Sequence, residues 1–258
     1  MKILMVLDEA FPPDYRVEKE AESLIESGYE VVLLCYTSLK GKPRKENYNG
    51  IQIRRFKIHQ NLRNKLSALY LVLPIYRWIW LYHFEKLIKE EQPDVIHIHD
   101  LPLSDIGVKM KKKYGVTLVC DQHEYYSNWI VQNAHYNTFI GKIVKALSNW
   151  KKYERKMLSE ADLVITVEEP LRREYIENVG VDPEKIITVP NTPKKSFAKA
   201  DPDPSVREKY GDHFVLFYLG GIDILRGIDT AIKALPEIIK TIPEIKMVLA
   251  GKVWKNSD

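Results

Sequence analysis

Asp94-Val95-Ile96-His97-Ile98-His99 and Val116-Thr117-Leu118-Val119-Cys120 are two short apolar, β-branched runs, joined by a helix-length segment that ends at Lys113. Runs this rich in Val and Ile, separated by helices rather than by tight turns, mark parallel strands covered on both faces. The same alternation extends in both directions. Upstream, Lys2 to Leu7 reads as a strand, Val17 to Ser27 as an amphipathic helix stopped by Gly28, and Glu30 to Tyr36 as a second strand. Lys40 to Gly50 is polar and reads as a loop, and Ile51 to Ile58 alternates like a less buried strand. A long helical region then reaches Glu91, where Pro93 ends it. Downstream, a mostly helical stretch runs to Ser159, Asp162 to Val167 is a strand, Glu169 to Asn178 a helix and Lys185 to Val189 a short strand.

A Pro-rich stretch from Pro190 to Pro204 reads as a linker, and the pattern restarts after it. His213 to Leu219 is a strand, Gly227 to Lys240 a helix and Ile245 to Ala250 a strand. The expected organisation is an α/β doubly wound parallel sheet in a first domain, residues 1–195, and a second Rossmann-like domain, residues 205–258, that is incomplete. One strand–helix–strand module is too little to close a core alone.

Composition bounds the rest. The chain has 258 residues, 45% hydrophobic and 29% charged, with a net charge of +4, which is ordinary for a soluble globular protein. Cys35 and Cys120 sit in apolar runs and read as core residues in a reducing cytoplasm. The N-terminus lacks a signal-peptide pattern. Basic patches at Lys40 to Lys45, Lys109 to Lys113 and Lys151 to Lys156 suit solvated faces or an anionic ligand; no nucleic-acid partner is expected. Leu66 to Tyr82 is the most apolar stretch, but Arg77 near its middle would cost about 2.5 kcal/mol or more at a bilayer centre. Core packing is the favoured reading of this segment, and a peripheral contact at the membrane interface, through Trp78 and Trp80, is the minority one.

In open α/β sheets, ligands bind beyond the carboxyl ends of the strands where strand order reverses. The residues there are Asp8 to Arg16 after the first strand, His97 to Pro102 around the end of the fourth and Asp121 to Tyr125 after the fifth. His97 reads as a hydrogen-bonded core histidine, and Asp100 as either a helix cap or a functional group. Asp121 and Glu124 suit helix starts as well as a site. His123, leaving a strand beside two acids, is the hardest to assign to structure alone. His99, Asp100, Asp121, His123 and Glu124 are acceptable metal ligands, but no HxxxH spacing is present and no metal is expected. In the second domain, Gly220-Gly221 ends a strand and Arg226 precedes a helix start, an arrangement suited to phosphate groups. It is not GxGxxG, which disfavours a dinucleotide.

Taken together, these segments resemble glycosyltransferase family 4, retaining enzymes of the GT-B architecture. The resemblance rests on Arg16-Val17-Glu18-Lys19-Glu20-Ala21, Val95 to Leu101, Cys120 to Glu124, Ala161 to Val167, Val189 to Pro193, Tyr218 to Gly221, Arg226 to Asp229 and Val248 to Gly251. It implies transfer of a sugar from a UDP- or GDP-linked donor to a glycan or lipid-linked acceptor, in envelope polysaccharide synthesis, without a cofactor and usually without a metal. It implies a catalytic role for His123 near the transferred sugar, a diphosphate site at Gly220, Gly221 and Arg226, and an acceptor side at Arg16, His99, Asp100 and Glu124. The implied location is cytoplasmic, peripheral on the inner face of the membrane. Gly221 stands where many relatives carry Arg, and Arg226 where they carry Lys. The family's paired glutamates normally lie beyond residue 258, so this chain alone is expected to be inactive. A non-catalytic acceptor- or membrane-docking subunit is the rival reading, and a metal-dependent hydrolase the third.

Overall fold

The computed structural model describes residues 1–39, 41–132, 147–193, 197–199, 201, 203–222 and 226–252. It divides into two compact units, Met1–Pro193 and Lys194–Asp258. The first is built on an eight-stranded sheet: β1 Lys2–Ala10, β2 Glu30–Thr37, β3 Lys45–Tyr48, β4 Ile51–Lys57, β5 Val95–His99, β6 Thr117–Gln122, β7 Leu163–Thr166 and β8 Ile186–Thr188. Their order is β3-β4-β2-β1-β5-β6-β7-β8, and every pairing is parallel except β3 with β4. The chain winds outward from β1 through β2, returns to β5 on the other side and winds outward again. The reversal therefore falls between β1 and β5.

Strand β1 is apolar throughout because both its faces are covered. Ile3, Met5 and Leu7 pack with Val17 and Ala21 of α1, Tyr15–Glu26. Leu4 and Val6 pack on the other face, in a core that includes Trp80 and Phe84 of α3, Ile75–Glu91, and Ile106 and Met110 of α4, Ser104–Tyr114. Asp14 caps α1, its Oδ1 accepting from the backbone N–H groups of Arg16 and Val17 at 3.1 and 3.4 Å. Cys35 and Cys120 are free and buried, as their apolar surroundings imply.

Several elements differ from the sequence reading. The expected loop at Lys40 to Gly50 contains β3, an antiparallel edge strand whose residues are polar because they face water. Strand β4 is more buried than its alternation suggests. Arg55 lies inside it, pairing with Glu46 at 2.6 Å and donating to the carbonyl of Phe11. The long helical region is broken into α2, Gln60–Ala68, and α3, with Pro74 at the break. Helix α3 buries Tyr76, Trp80, Phe84, Leu87 and Ile88 and exposes Ile75, Trp78 and Tyr82, so Trp80 is core and Trp78 is not. No helix among the described residues is long and apolar enough to cross a membrane. Strand β6 continues two residues past Cys120, which places Asp121 and Gln122 within the sheet. The helix expected at Glu169 to Asn178 is α-helical only over Glu169–Glu174 and widens into a π-turn over Tyr175–Val179. Of the helical stretch expected up to Ser159, residues 133–146 lie outside the described residues. The basic run at Lys111, Lys112 and Lys113 is paired with Asp162, Glu160 and Glu85.

One buried carboxyl gives a pH-dependent expectation. Glu154, on the helix Leu147–Ser159, accepts from Ser127 at 2.7 Å and from Tyr175 at 3.1 Å. Burial pushes its pKa up to about 7 from the ordinary 4.5, against those two hydrogen bonds. The folded chain then holds a proton that the unfolded chain has released. This contribution to stability is complete below about pH 4.5 and is lost as pH rises through 7. Glu154→Gln is expected to be more stable than the parent by about 3 kcal/mol at pH 8 and nearly indistinguishable at pH 4.5. Urea denaturation at the two pH values checks this, and an equal difference at both would exclude a titrating Glu154.

The second unit holds a two-stranded parallel sheet, β9 Phe214–Leu219 and β10 Ile245–Ala250, joined by the helix Ile228–Ile239. Phe217 and Leu219 of β9 are exposed.

Candidate functional site

The C-terminal ends of β1, β5 and β6 meet at the reversal of strand order. Side chains two apart on a strand share a face, so His97 and His99 lie together on the α1 side of β5, their rings stacked 4.4 Å apart. Register places Asp121 of β6 opposite His99. One oxygen of its carboxylate, Oδ2, lies 3.1 Å from His99 Nδ1, 3.1 Å from His123 Nε2 and 3.5 Å from His97 Nε2. Glu20 of α1 reaches in from above, its Oε2 3.8 Å from His99 Nδ1 and 3.9 Å from His97 Nε2.

Electrostatics divide this group sharply. Burial disfavours ionisation of Asp121, but the three imidazoles crowding its carboxylate outweigh it and hold the pKa well below the ordinary range. Burial, and then the charge of Asp121, raise Glu20 well above the ordinary carboxylate range. Burial, reinforced by His97, pushes His99 down to about 4 against the pull of Asp121. Near neutral pH the cluster thus holds an ionised Asp121, a protonated Glu20 and a neutral His99.

At the rim, Arg16 forks onto Asp14, with Nε at 3.1 Å and Nη2 at 2.8 Å, and its Nη2 lies 3.9 Å from Asp100. Asp100 adopts φ 62°, ψ 159°, a conformation that costs a residue with a Cβ about 1–3 kcal/mol. Its side chain makes no capping hydrogen bond to the 3₁₀ turn Leu101–Leu103, so capping does not explain it. Its backbone N–H donates to the carbonyl of Asp121 at 2.9 Å, tying the strained residue to the cluster. Burial raises the Asp100 carboxyl, opposed by Arg16 and His123. His123 turns Nε2 inward to Asp121, and its Nδ1 lies 3.5 Å from the side-chain amide of Asn191. Lys19 holds this return segment by donating to the carbonyl of Thr192.

The structure therefore brings together Arg16, His99, Asp100 and His123 from among the residues singled out by sequence. Glu124 is exposed beside them, with its carbonyl accepting from Tyr175 at 3.2 Å. The helix-start reading of Asp121 is corrected: it is a fully buried strand residue. His97 is no isolated core histidine, since it shares Asp121 with His99 and His123. Glu20 and Asn191 were missed as site residues. Glu20 is one of several acids on an amphipathic helix, and only its spacing of four from Arg16 puts the two on one face. Among the described residues, Glu20, His97, His99 and Asp121 are the group able to hold a metal ion, with ligand atoms all within 4.8 Å of one another.

In the second unit, Gly220 and Gly221 follow β9, with Gly220 N–H donating to Ala250 at 3.0 Å. Gly251 approaches so closely that a Cβ there would lie 1.7 Å from the Gly220 carbonyl oxygen. Gly227, at φ 68°, begins the helix Ile228–Ile239 without a side-chain cap, and Arg226 is exposed beside it. In the first turn the carboxyl of Asp229 is held below its ordinary range by Lys233 and by the backbone N–H of Thr230, so the helix start carries its own acid.

The model of Glycosyltransferase Family 4 matches residues 16–192. Glycogen synthase of Mycobacterium tuberculosis is 24% identical over 168 residues, which are 62% of this chain and 36% of that protein. D-inositol 3-phosphate glycosyltransferase of Kineococcus radiotolerans is 24% identical over 179 residues, 66% of this chain and 39% of that protein. The chain thus spans well under half the length of these curated relatives. Among solved structures, sucrose-phosphate synthase from Thermosynechococcus elongatus superposes with a TM-score of 0.71 at 16% identity, covering 100% of this chain and 64% of that one. Anabaena Alr3699/HepE in complex with UDP and glucose gives a TM-score of 0.60 at 15% identity, covering 99% of this chain and 62% of that one. This likeness shows the fold, the parallel-dominated α/β sheet of the GT-B type.

Proposed function

Since the chain belongs to glycosyltransferase family 4, we propose that it carries the acceptor-side domain, residues 1–195, and the opening of the nucleotide-sugar domain, residues 205–258, of a retaining glycosyltransferase. The observation that carries this reading is His123, held from behind by Asp121 at 3.1 Å and flanked by Arg16 and Asp100 where strand order reverses. The bond between the anomeric carbon and the diphosphate oxygen breaks, an acceptor hydroxyl oxygen forms the new one, and the hydroxyl proton passes to the departing diphosphate. His123 borders the sugar and stabilises the charge that develops as the diphosphate departs. Gly220, Gly221 and Arg226, beside the helix start at Gly227, hold the diphosphate through backbone N–H groups and one guanidinium. Arg16, Asp100 and Glu124 are assigned to the acceptor side, with His99 buried behind them rather than facing the acceptor. A UDP- or GDP-linked sugar is the donor, and a glycan or lipid-linked acceptor of envelope polysaccharide synthesis is the recipient. Transfer is proposed for these residues standing beside a complete donor domain.

A second reading, docking of the acceptor at a membrane, is supported by the exposed Ile75, Trp78 and Tyr82 on α3. It is compatible with transfer, and it fits a cytoplasmic protein lying on the inner face of the membrane.

The test is an assay of nucleoside-diphosphate release from a panel of UDP- and GDP-sugars, using the domain joined to a complete donor half and lipid-extract acceptors. Release that depends on acceptor, with the anomeric configuration of the product retained by NMR, is the expected result. No release from any donor, while vesicle binding persists, would replace transfer with the docking reading.

A further inference from the structure

Burying several polar atoms without directed partners is costly, and native interiors rarely tolerate it. Around Asp121 they are concentrated. Glu20 Oε2, His97 Nε2, both ring nitrogens of His99 and both carboxylate oxygens of Asp121 are inaccessible and make no directed hydrogen bond. His97, His99 and Asp121 are 5%, 1% and 0% exposed. The atoms converge on one another, two imidazole nitrogens and a second carboxyl crowding a single oxygen of Asp121.

Their spacing has a simple geometric meaning. His97 Nε2 and His99 Nδ1 lie 3.5 and 3.1 Å from Asp121 Oδ2, and 3.9 and 3.8 Å from Glu20 Oε2. The two remaining separations are within 4.8 Å. Four ligands at zinc bond lengths of about 2.1 Å stand about 3.4 Å apart at the corners of a tetrahedron. Four of the six separations, 3.1 to 3.9 Å, are close to such edges, and the other two are no longer than 4.8 Å, so the four atoms can share one ion. Two imidazole nitrogens and two carboxylate oxygens are a donor set for a borderline first-row divalent ion.

We infer that Glu20, His97, His99 and Asp121 form a closed, four-ligand site for a divalent transition metal, with zinc the best fit. The ion would pin α1 to β5 and β6. With all four positions taken by protein, it leaves none open for substrate, so its role is structural. This is consistent with diphosphate departure assisted by His123, Arg226 and backbone N–H groups, without a metal at the reacting bond. Asp121 also faces His123, so the ion would stiffen the support behind that ring. The inference rests on the cluster geometry and stands whether or not the transferase reading holds.

The test uses the untagged 258-residue chain. After desalting, plasma mass spectrometry is expected to find about one equivalent of zinc per chain, and a chelator to lower the melting temperature. His97→Gln and Glu20→Gln are each expected to cut the bound metal at least about fivefold, whereas His59→Gln, at an exposed helix cap, leaves it unchanged. Should the variants fail to fold, cobalt titration of the parent serves instead: a tetrahedral site gives intense visible absorption that zinc abolishes. Metal-free protein with no response to added zinc or cobalt would overturn the inference and leave a purely ionic cluster. So would bound metal that survives both cluster substitutions.

Discussion

His123→Ala, in the domain joined to a complete donor half, is expected to lower kcat by about 10²–10³-fold and leave donor affinity within a few-fold of the parent. The asymmetry follows from the position of the ring. His123 follows β6 directly and has its Nε2 against Asp121, so it is held in place before substrate arrives. A group held this way does little for ground-state binding and acts on charge as it develops. The diphosphate, in contrast, is assigned to the second unit, through Gly220, Gly221 and Arg226. Steady-state kinetics and donor titration read the two separately. A fall in kcat of less than about fivefold would remove His123 from the chemistry, and an equal loss of donor affinity would make it a binding residue.

The second large effect concerns stability. Trp80 is 0% exposed, with its ring edge-on to Phe56 at 4.8 Å in the larger core; Trp78, two positions earlier, is 62% exposed. Trp80→Ala should therefore cost about 3–5 kcal/mol, from lost transfer energy and the cavity left behind. Trp78→Ala should change stability by no more than about 0.5 kcal/mol. At about 2–4 °C per kcal/mol for a unit of this size, the first lowers the melting temperature by roughly 6–20 °C and the second barely moves it. Comparable losses in both would mean that α3 is rotated from the face described. The contrast also decides how membrane contact can be tested. A paired substitution of both tryptophans would confound core destabilisation with loss of the exposed face, whereas Trp78→Ser with Tyr82→Ser leaves the core intact and interrogates only the exposed face.

How far the sequence discloses all this differs from element to element. The apolar strands β1 and β2 are visible because each is covered on both faces, and burial writes itself as a run dominated by Val, Ile and Leu. Edge strand β3 is not visible: Lys45 to Tyr48 is wetted and has the composition of a loop, and only its pairing with β4 makes it a strand. Asp121 misleads for the opposite reason. A carboxylate after Cys120 looks like the end of a strand, yet three histidines make it tolerable inside one. The rim at Arg16, Asp100 and His123 could be anticipated from strand-end positions and the family resemblance. The buried half of the site could not. Its members come from α1, β5 and β6, separated by scores of residues, and no local spacing announces that Glu20 meets His97.

The placement of Asp121 within the sheet has an evolutionary consequence. Loops can change length and composition at little cost, but a strand residue between two neighbours is fixed by the ladder on either side. Shifting β6 by a single residue would turn its carboxylate to the opposite face and leave three imidazoles without their common partner. Descendants of this chain are therefore free to remodel α2 and the exposed row of α3 while the interior stays frozen. Diversification would run outward from the sheet, with changes on the exposed helix faces open to single steps and a change in the charged interior open only to concerted ones.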